Sequence, residues 1–100
     1  MEYNVQFVNT ANDPKAENTV VEKLERLAKK YDWIIHAEVF FKEEKGTYGK
    51  GKICEIQASV PGPRIFASSD ESSFEAAAFE TINDLQRLLK KRKDEMRSHR

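Results

Sequence analysis

The chain carries little that could do covalent or metal chemistry. Its 100 residues include one cysteine and two histidines. A lone thiol, Cys54, excludes an intramolecular disulfide, and one cysteine with the distant His36 and His99 assembles no metal site. No proline- or glycine-rich linker and no internal repeat divides the sequence, so a single domain with one modest core is expected. No apolar run approaches the roughly 20 residues that span a membrane. The N-terminal "MEYNVQF" lacks the basic region and apolar run of a signal peptide. These absences point to the cytosol, with no membrane partner. Net charge is missing as well, with 17 basic against 17 acidic side chains.

That neutrality conceals a segregation. Residues 87–100 hold seven basic and two acidic side chains, about +5, and residues 1–86 hold ten and fifteen, about −5. The chain ends "LLKKRKDEMRSHR". Such a run is an ordinary solvated helix end, a frayed tail, or half of a surface for a polyanion.

The apolar pattern supplies the scaffold. "YNVQFVN" (3–9) is short and β-prone and ends in a turn-forming cluster, which reads as a strand. Asp13 before Pro14 resembles an N-cap with proline at the first helical position. Val20, Val21, Leu24, Leu27, Ala28 and Tyr31 then recur at helical spacing, predicting a helix over 14–31. "WIIHAEVFFKEE" (33–44) and "KGKICEIQASV" (50–60) read as strands joined by a glycine-rich loop. In the second, Cys54, Ile56, Ala58 and Val60 alternate with polar residues. Pro61 and Gly62 sit where a type II turn wants them, so "RIFAS" should return as a fourth strand. In "SSDESS", Ser68 with Glu71 and Ser72 with Glu75 fit capping boxes. Phe74, Ala77, Ala78, Ile82, Leu85, Leu88 and Leu89 then trace a stripe, predicting a helix from about 71 to the low nineties.

The resulting order is β-α-β-β-β-α. A helix between the first two strands implies a right-handed crossover with parallel pairing, and the rest reads as an antiparallel meander. Each helix has one apolar stripe, so both should cover the same face of a four-stranded mixed sheet. Gln6, His36, Glu38, Glu55 and Gln57 would then lie on an open polar face. The fold class expected is α+β, a two-layer sandwich spanning 1–95, with 96–100 as a frayed basic tail.

Motifs for catalysis fail in context. "GTYGKGKI" (46–53) follows a phosphate-binding loop until Ile53 stands where a hydroxyl would hold magnesium, and it leads into a strand instead of a helix N-terminus. Its Lys45, Tyr48, Lys50 and Lys52 remain candidates for a loop contact with nucleic acid. Cys54 lies on the apolar side of a strand, where a thiol behaves as a small hydrophobe. Neither histidine has a sequence neighbour suited to an acid–base dyad. Acylphosphatases are of similar size, but they end β-α-β and cradle their anion near the N-terminus. Here no strand follows the second helix and no arginine precedes Arg26. No enzyme activity, cofactor or small-molecule substrate is expected.

The cations remain. Lys23, Arg26 and Lys30 share one sector of the first helix, because residues three and seven apart face alike. Arg87, Lys90 and Lys91 cluster on the second, where Arg92 and Lys93 extend the charge. Five cations in seven positions exceed what the helix dipole asks for, and their repulsion is relieved by a polyanion. A groove shared by both helices would bind phosphates through counterion release and read shape more than sequence.

The element order and length, with "VEKLERLAKKYD", "SSDESS" and "FEAAAFETINDLQRLLKKRK", resemble the ribosome hibernation-promoting factors, also called protein Y or the sigma-54 modulation family. The likeness spans roughly residues 3–93 and the short form of that family. It implies a stress or stationary-phase translation inhibitor, non-enzymatic and cytoplasmic. Its partner would be 16S rRNA of the 30S subunit, in the channel of mRNA and tRNA, with 70S and 100S ribosomes as further candidates. The implied rRNA-binding residues are Lys23, Arg26, Lys30, Arg87, Lys90, Lys91 and Lys93, to which the basic run adds Arg92. Two alternatives stand beside it: a protein-interaction domain using its open polar sheet face, and a generic double-stranded RNA-binding domain. The latter typically begins with a helix.

Overall fold

In the computed structural model, residues 1–45 and 48–98 are described. They form β1 (Glu2–Val8), α1 (Pro14–Lys30), β2 (His36–Glu43), β3 (Lys52–Ser59), β4 (Ile65–Glu71) and α2 (Phe74–Ser98). The sheet order is β1-β2-β3-β4, with β1 parallel to β2 and the other pairs antiparallel. This is the α+β arrangement that the apolar pattern predicts.

Local chemistry explains most boundaries. Asp13 caps α1 by accepting from the Ala16 N–H at 3.2 Å, with Pro14 at the first turn. The helix buries Ala16, Val20, Leu24 and Leu27. Trp33 and Ile35 stay outside β2. The Ile34 N–H instead reaches the Tyr31 carbonyl at 3.2 Å, closing a turn that buries Ile34 and turns Ile35 to solvent.

The predicted start of α2 needs correction. Ser68, Ser69, Asp70 and Glu71 continue β4, paired with Glu55, Cys54, Ile53 and Lys52. Asp70 Oδ1 also accepts from the Gly51 N–H at 2.7 Å, pinning that end of the strand. Helix α2 therefore starts at Phe74, and its cap is Ser73, whose Oγ accepts from the Ala76 N–H at 3.1 Å. Neither Ser68 nor Ser72 caps it. At its other end α2 passes the low nineties and runs to Ser98; His99 and Arg100 lie outside the described residues.

One core lies between the helices and the sheet. Phe7 stacks on Phe41 with centroids 4.7 Å apart, and Phe74 meets both edge-on. Cys54, Ile56 and Ala58 point inward as the alternation predicts, and α2 adds Ala77, Ala78, Ile82, Leu85 and Leu89. Leu88 departs from the predicted stripe and is 36% exposed. The position facing the sheet is taken by Thr81, fully buried, whose hydroxyl donates to the Cys54 carbonyl at 3.0 Å. Burial pushes the Cys54 thiol up to about 12, because a thiolate there would lose its hydration.

Twenty-five residues make α2 about 37 Å long, against about 26 Å for the eight residues of β3. The helix overhangs the sheet. A clamp holds it where it crosses the β3–β4 turn: Arg92 Nη1 donates to the Pro61 and Pro63 carbonyls, each at 2.8 Å. Gly62 makes this approach possible. Its φ is +89°, and a Cβ there would meet Arg92 Nη1 at 3.1 Å. Arg92, expected from the sequence among the rRNA-binding cations, thus has a role in holding the fold.

Two outcomes follow. Arg92→Ala should cost about 1.5–3 kcal/mol through two lost charge-assisted hydrogen bonds, lowering Tm by roughly 10 °C in thermal unfolding. Lys91→Ala, at an exposed neighbouring position, should shift it by no more than a few degrees. Native protein at pH 8 should react with iodoacetamide at Cys54 at least about a hundredfold more slowly than unfolded protein, as mass spectrometry would show.

Candidate nucleic-acid interface

Helices α1 and α2 lie side by side on one sheet face and pack against each other. The faces they turn to solvent along that seam decide what it offers. On α1, Lys23, Arg26 and Lys30 follow one another at three and four residues. On α2 the same arithmetic joins Asn83, Gln86, Arg87, Lys90, Lys93, Asp94 and Arg97.

The seam is a trough made of two adjoining hollows. The first, about 240 Å³, is lined by Lys23, Arg26, Leu27 and Lys30 of α1 and Ile82, Asn83 and Gln86 of α2. The second, about 560 Å³, is lined by Lys30 and Tyr31 with Asn83, Gln86, Arg87, Lys90, Lys93, Asp94 and Arg97. Lys30, Asn83 and Gln86 line both, so the hollows adjoin along the seam. The walls carry seven cations and one carboxylate, Asp94, at the far end. The amides of Asn83 and Gln86 add hydrogen-bonding groups of both kinds between the cations.

Aromatic rings position several of these charges. Lys30 Nζ and Lys93 Nζ lie 5.5 and 5.9 Å from the Tyr31 ring centroid, one from each helix. Tyr31 is itself buried and braced edge-on by Trp33 at 5.7 Å. Lys23 Nζ sits 4.9 Å from the centroid of Phe79 on α2, so it reaches across the seam. Arg87 is hydrogen-bonded to Asp84 one turn earlier, which orients the guanidinium without enclosing it.

Of the residues expected from the sequence, Lys23, Arg26, Lys30, Arg87, Lys90 and Lys93 come together in this trough. Lys91 and Arg92 do not. They line a separate hollow with Arg64, Phe66 and Glu95 on the opposite flank of α2, because residues 91 and 92 fall about 100° and 200° around the helix from Lys90. The hairpin candidates lie elsewhere again. Lys52 pairs with Glu43 at 2.8 Å and lies over the Phe74 ring at 5.3 Å, at the first residue of α2. The basic trough occupies the other end of that helix. Lys45, Tyr48 and Lys50 are exposed at the loop, and Gly46 and Thr47, which open the phosphate-loop-like motif, lie outside the described residues.

Sequence reasoning missed Tyr31, Asn83, Gln86 and Arg97 as trough residues. Arg97 had a readable signal, since it stands seven residues after Lys90, two helical turns along the same face. In the sequence Tyr31 stands only as the last apolar residue of its helix.

The open sheet face holds ionisable pairs of its own, Lys42 with Glu55 at 3.0 Å and His36 with Glu38. His36 hydrogen-bonds Glu38, and the Asn4 amide donates to the same carboxylate at 3.3 Å. These bonds, that of His36 foremost, hold the Glu38 carboxyl below the ordinary carboxylate range. His36 therefore has an acidic partner after all, two residues along one strand face. At the hairpin end, hydrogen bonds from Lys52 and from the Thr10 hydroxyl lower Glu43 in the same way. Among the described residues no three His, Cys, Asp or Glu side chains are grouped to hold a metal ion, and no helix is long and apolar enough to cross a membrane.

Solved structures share the architecture. The chain is similar to a ribosomal subunit interface protein from Coxiella burnetii at 21% identity and a TM-score of 0.82, covering 94% of this chain and 99% of that one. It is also similar to the protein Y N-terminal domain from Thermus thermophilus, at 22% identity and a TM-score of 0.69 over 90% and 93% of the two chains. No curated protein sequence matches significantly. At these identities the structures speak to the fold. The family described as sigma 54 modulation protein / S30EA ribosomal protein matches residues 3–97. With nearly its whole length matched, and with β-α-β-β-β-α order and paired helices in place, the chain belongs to that family of non-enzymatic, ribosome-associated regulators.

Proposed function

We propose that the trough between α1 and α2 grips the sugar–phosphate backbone of 16S rRNA on the small ribosomal subunit. The protein would then occupy the channel of mRNA and tRNA and silence translation in the cytosol under stress or in stationary phase. The observation that carries this reading is the trough's charge, seven cations against one carboxylate on a chain with no net charge. A surface so one-sided repels itself until a polyanion neutralises it. The name of the Coxiella burnetii structure, a ribosomal subunit interface protein, fits such a placement.

The mode of recognition follows from the side chains. Lysine and arginine ammonium and guanidinium groups meet phosphate oxygens, while the Asn83 and Gln86 amides can meet ribose hydroxyls. Contacts to phosphate and ribose carry no sequence information, so the geometry of a folded RNA strand would select the site. The set proposed to touch RNA is Lys23, Arg26, Lys30, Arg87, Lys90, Lys93 and Arg97. Lys91 and Arg92 fall outside it, as do the hairpin lysines.

Co-sedimentation with purified 30S and 70S particles tests this reading. Wild-type protein should travel with the 30S subunit at low salt and be released as salt rises, with log K falling by about 0.7–0.9 per phosphate contact for each tenfold rise in salt. Arg26→Glu with Lys90→Glu should abolish association while leaving Tm within a few degrees, since exposed charges add little stability. Lys91→Glu should bind like wild type. Failure of the wild type to sediment at any salt, or binding untouched by the double reversal, would refute it. A nuclease-resistant, salt-insensitive pull-down would transfer the assignment to a protein partner, and high affinity for free duplex RNA would point to a generic duplex binder.

A further inference from the structure

The two edges of the sheet are built differently. β4 begins beside Pro61 and Pro63, ends in Asp70 and Glu71, and has α2 packed along it. Proline, charge and a covering helix are the means by which proteins keep an edge strand from pairing with another chain. β1, at the other edge, has neither charge nor proline over Tyr3–Val8, and its unbroken register with β2 leaves no bulge to twist it away.

The ladder shows which backbone groups β1 leaves free. The Glu2 N–H donates to the Ile35 carbonyl at 3.3 Å. In a parallel pair alternate residues turn both backbone groups toward the same neighbour, so Glu2, Asn4, Gln6 and Val8 face β2. Tyr3, Val5 and Phe7 therefore point their N–H and C=O groups outward. Their side chains lie on the helix side of the sheet, in register with the fully buried Ala37, Val39 and Phe41. Tyr3 remains 37% exposed. A hollow of about 370 Å³ opens beside Met1 and Tyr3, against Glu25, Ala28 and Lys29 of α1.

We infer that β1 pairs antiparallel with β1 of a second copy of this chain, about a twofold axis at Val5, joining two sheets into one. The sequence itself names that occupant. Tyr3-Asn4-Val5-Gln6-Phe7 is a mirror by residue class about Val5: aromatic, amide, β-branched, amide, aromatic. A strand serving only its own sheet needs alternation, not mirror symmetry. In this register Val5 meets its own copy and Tyr3 meets Phe7, each as a hydrogen-bonded pair using the outward backbone groups. Asn4 meets Gln6 on the open face, and Glu2 meets Val8. No like charges face each other, and the neutral chain adds no net repulsion. A strand pair covers less than the roughly 1,200 Å² of a stable complex, so the dimer is weak and concentration-dependent. The basic trough lies along the opposite flank of α1 and stays open in both copies. The inference is therefore independent of the rRNA reading.

Sedimentation equilibrium of the full chain from about 10 μM to about 1 mM should show the mass rising toward that of a dimer. Over the same range, hydrogen exchange at the Tyr3, Val5 and Phe7 amides should slow, while Asn4 and Gln6 stay protected throughout. Asn4→Lys with Gln6→Lys sets lysine against lysine and should weaken association at least about tenfold. Asn4→Lys with Gln6→Glu sets each lysine against a glutamate and should match or exceed the parent. A parent that stays monomeric over the whole range overturns the inference. So does a dimer indifferent to both substitutions, or one that leaves the three outward amides exchanging freely.

Discussion

Burial of the α1 and α2 stripes against a single face of the sheet is the interaction on which the basic trough depends. Val20, Leu24 and Leu27 of α1 and Ile82, Leu85 and Leu89 of α2 all lie under the helices, at most 5% exposed. Each contributes about 1.5–3 kcal/mol relative to exposure. Two exposed cations 10 Å apart in water repel by only about 0.4 kcal/mol. The apolar term is therefore large enough to hold the two basic flanks together despite their repulsion. What remains unrelieved is spread over solvent-facing side chains that an incoming polyanion can reach. Loosening the helix packing would separate the cations before it disturbed any one of them.

Helix α2 performs two tasks on two faces, and the distinction is sharpest among adjacent residues. Lys90 and Lys93 open toward α1, with Lys93 resting near the Tyr31 ring. Arg92, between them in sequence, turns the other way and holds the Pro61 and Pro63 carbonyls. The overhanging turns are thus tied to the β3–β4 hairpin on one flank while their cations stay free on the other. That tie reduces the freedom the basic end would lose on meeting RNA, a cost that otherwise reduces affinity. Tyr31 acts in a similar sense for α1. Buried and braced by Trp33, it offers one ring to a lysine from each helix.

Periodicity carried the fold. The apolar spacing in "VVEKLERLAKKY", the alternation from Cys54 to Val60 and the Pro61–Gly62 turn each follow from near-neighbour sterics, which sequence displays directly. The chemistry of the segment before α2 was less legible. Ser68, Asp70 and Glu71 have the composition of a cap, yet pairing with β3 and the bond from Gly51 make them strand, a tertiary choice that local propensity cannot see. The basic cluster was legible as a cluster but not in its partition. Composition counts Lys90 through Lys93 as one run, and only the helix's rotation against the sheet sends Lys91 and Arg92 away from Lys90 and Lys93. Tyr31 and Thr81 were hidden for a related reason, because their roles depend on what lies across the seam or beneath the helix.

The segregation of charge in the sequence acquires a spatial meaning once the helices are seated. The acidic excess of residues 1–86 is not interposed between the basic flanks, since Asp94 is the one carboxylate lining the trough. Some acids elsewhere have cations of their own, Glu43 with Lys52 and Glu55 with Lys42, and Glu38 is hydrogen-bonded to His36. Paired charges on the sheet cancel at a distance, whereas the trough's cations outnumber the carboxylates beside them: Asp94 in its lining and Asp84 bonded to Arg87. At physiological ionic strength fields fade within about 8 Å, so the distant acids barely weaken the trough's attraction for a phosphate already near it. A chain of zero net charge can for that reason present a strongly cationic surface at contact range while remaining nearly invisible to polyanions farther away. Binding would then depend on a shape that brings phosphates deep between the helices, which favours a structured RNA over an arbitrary one.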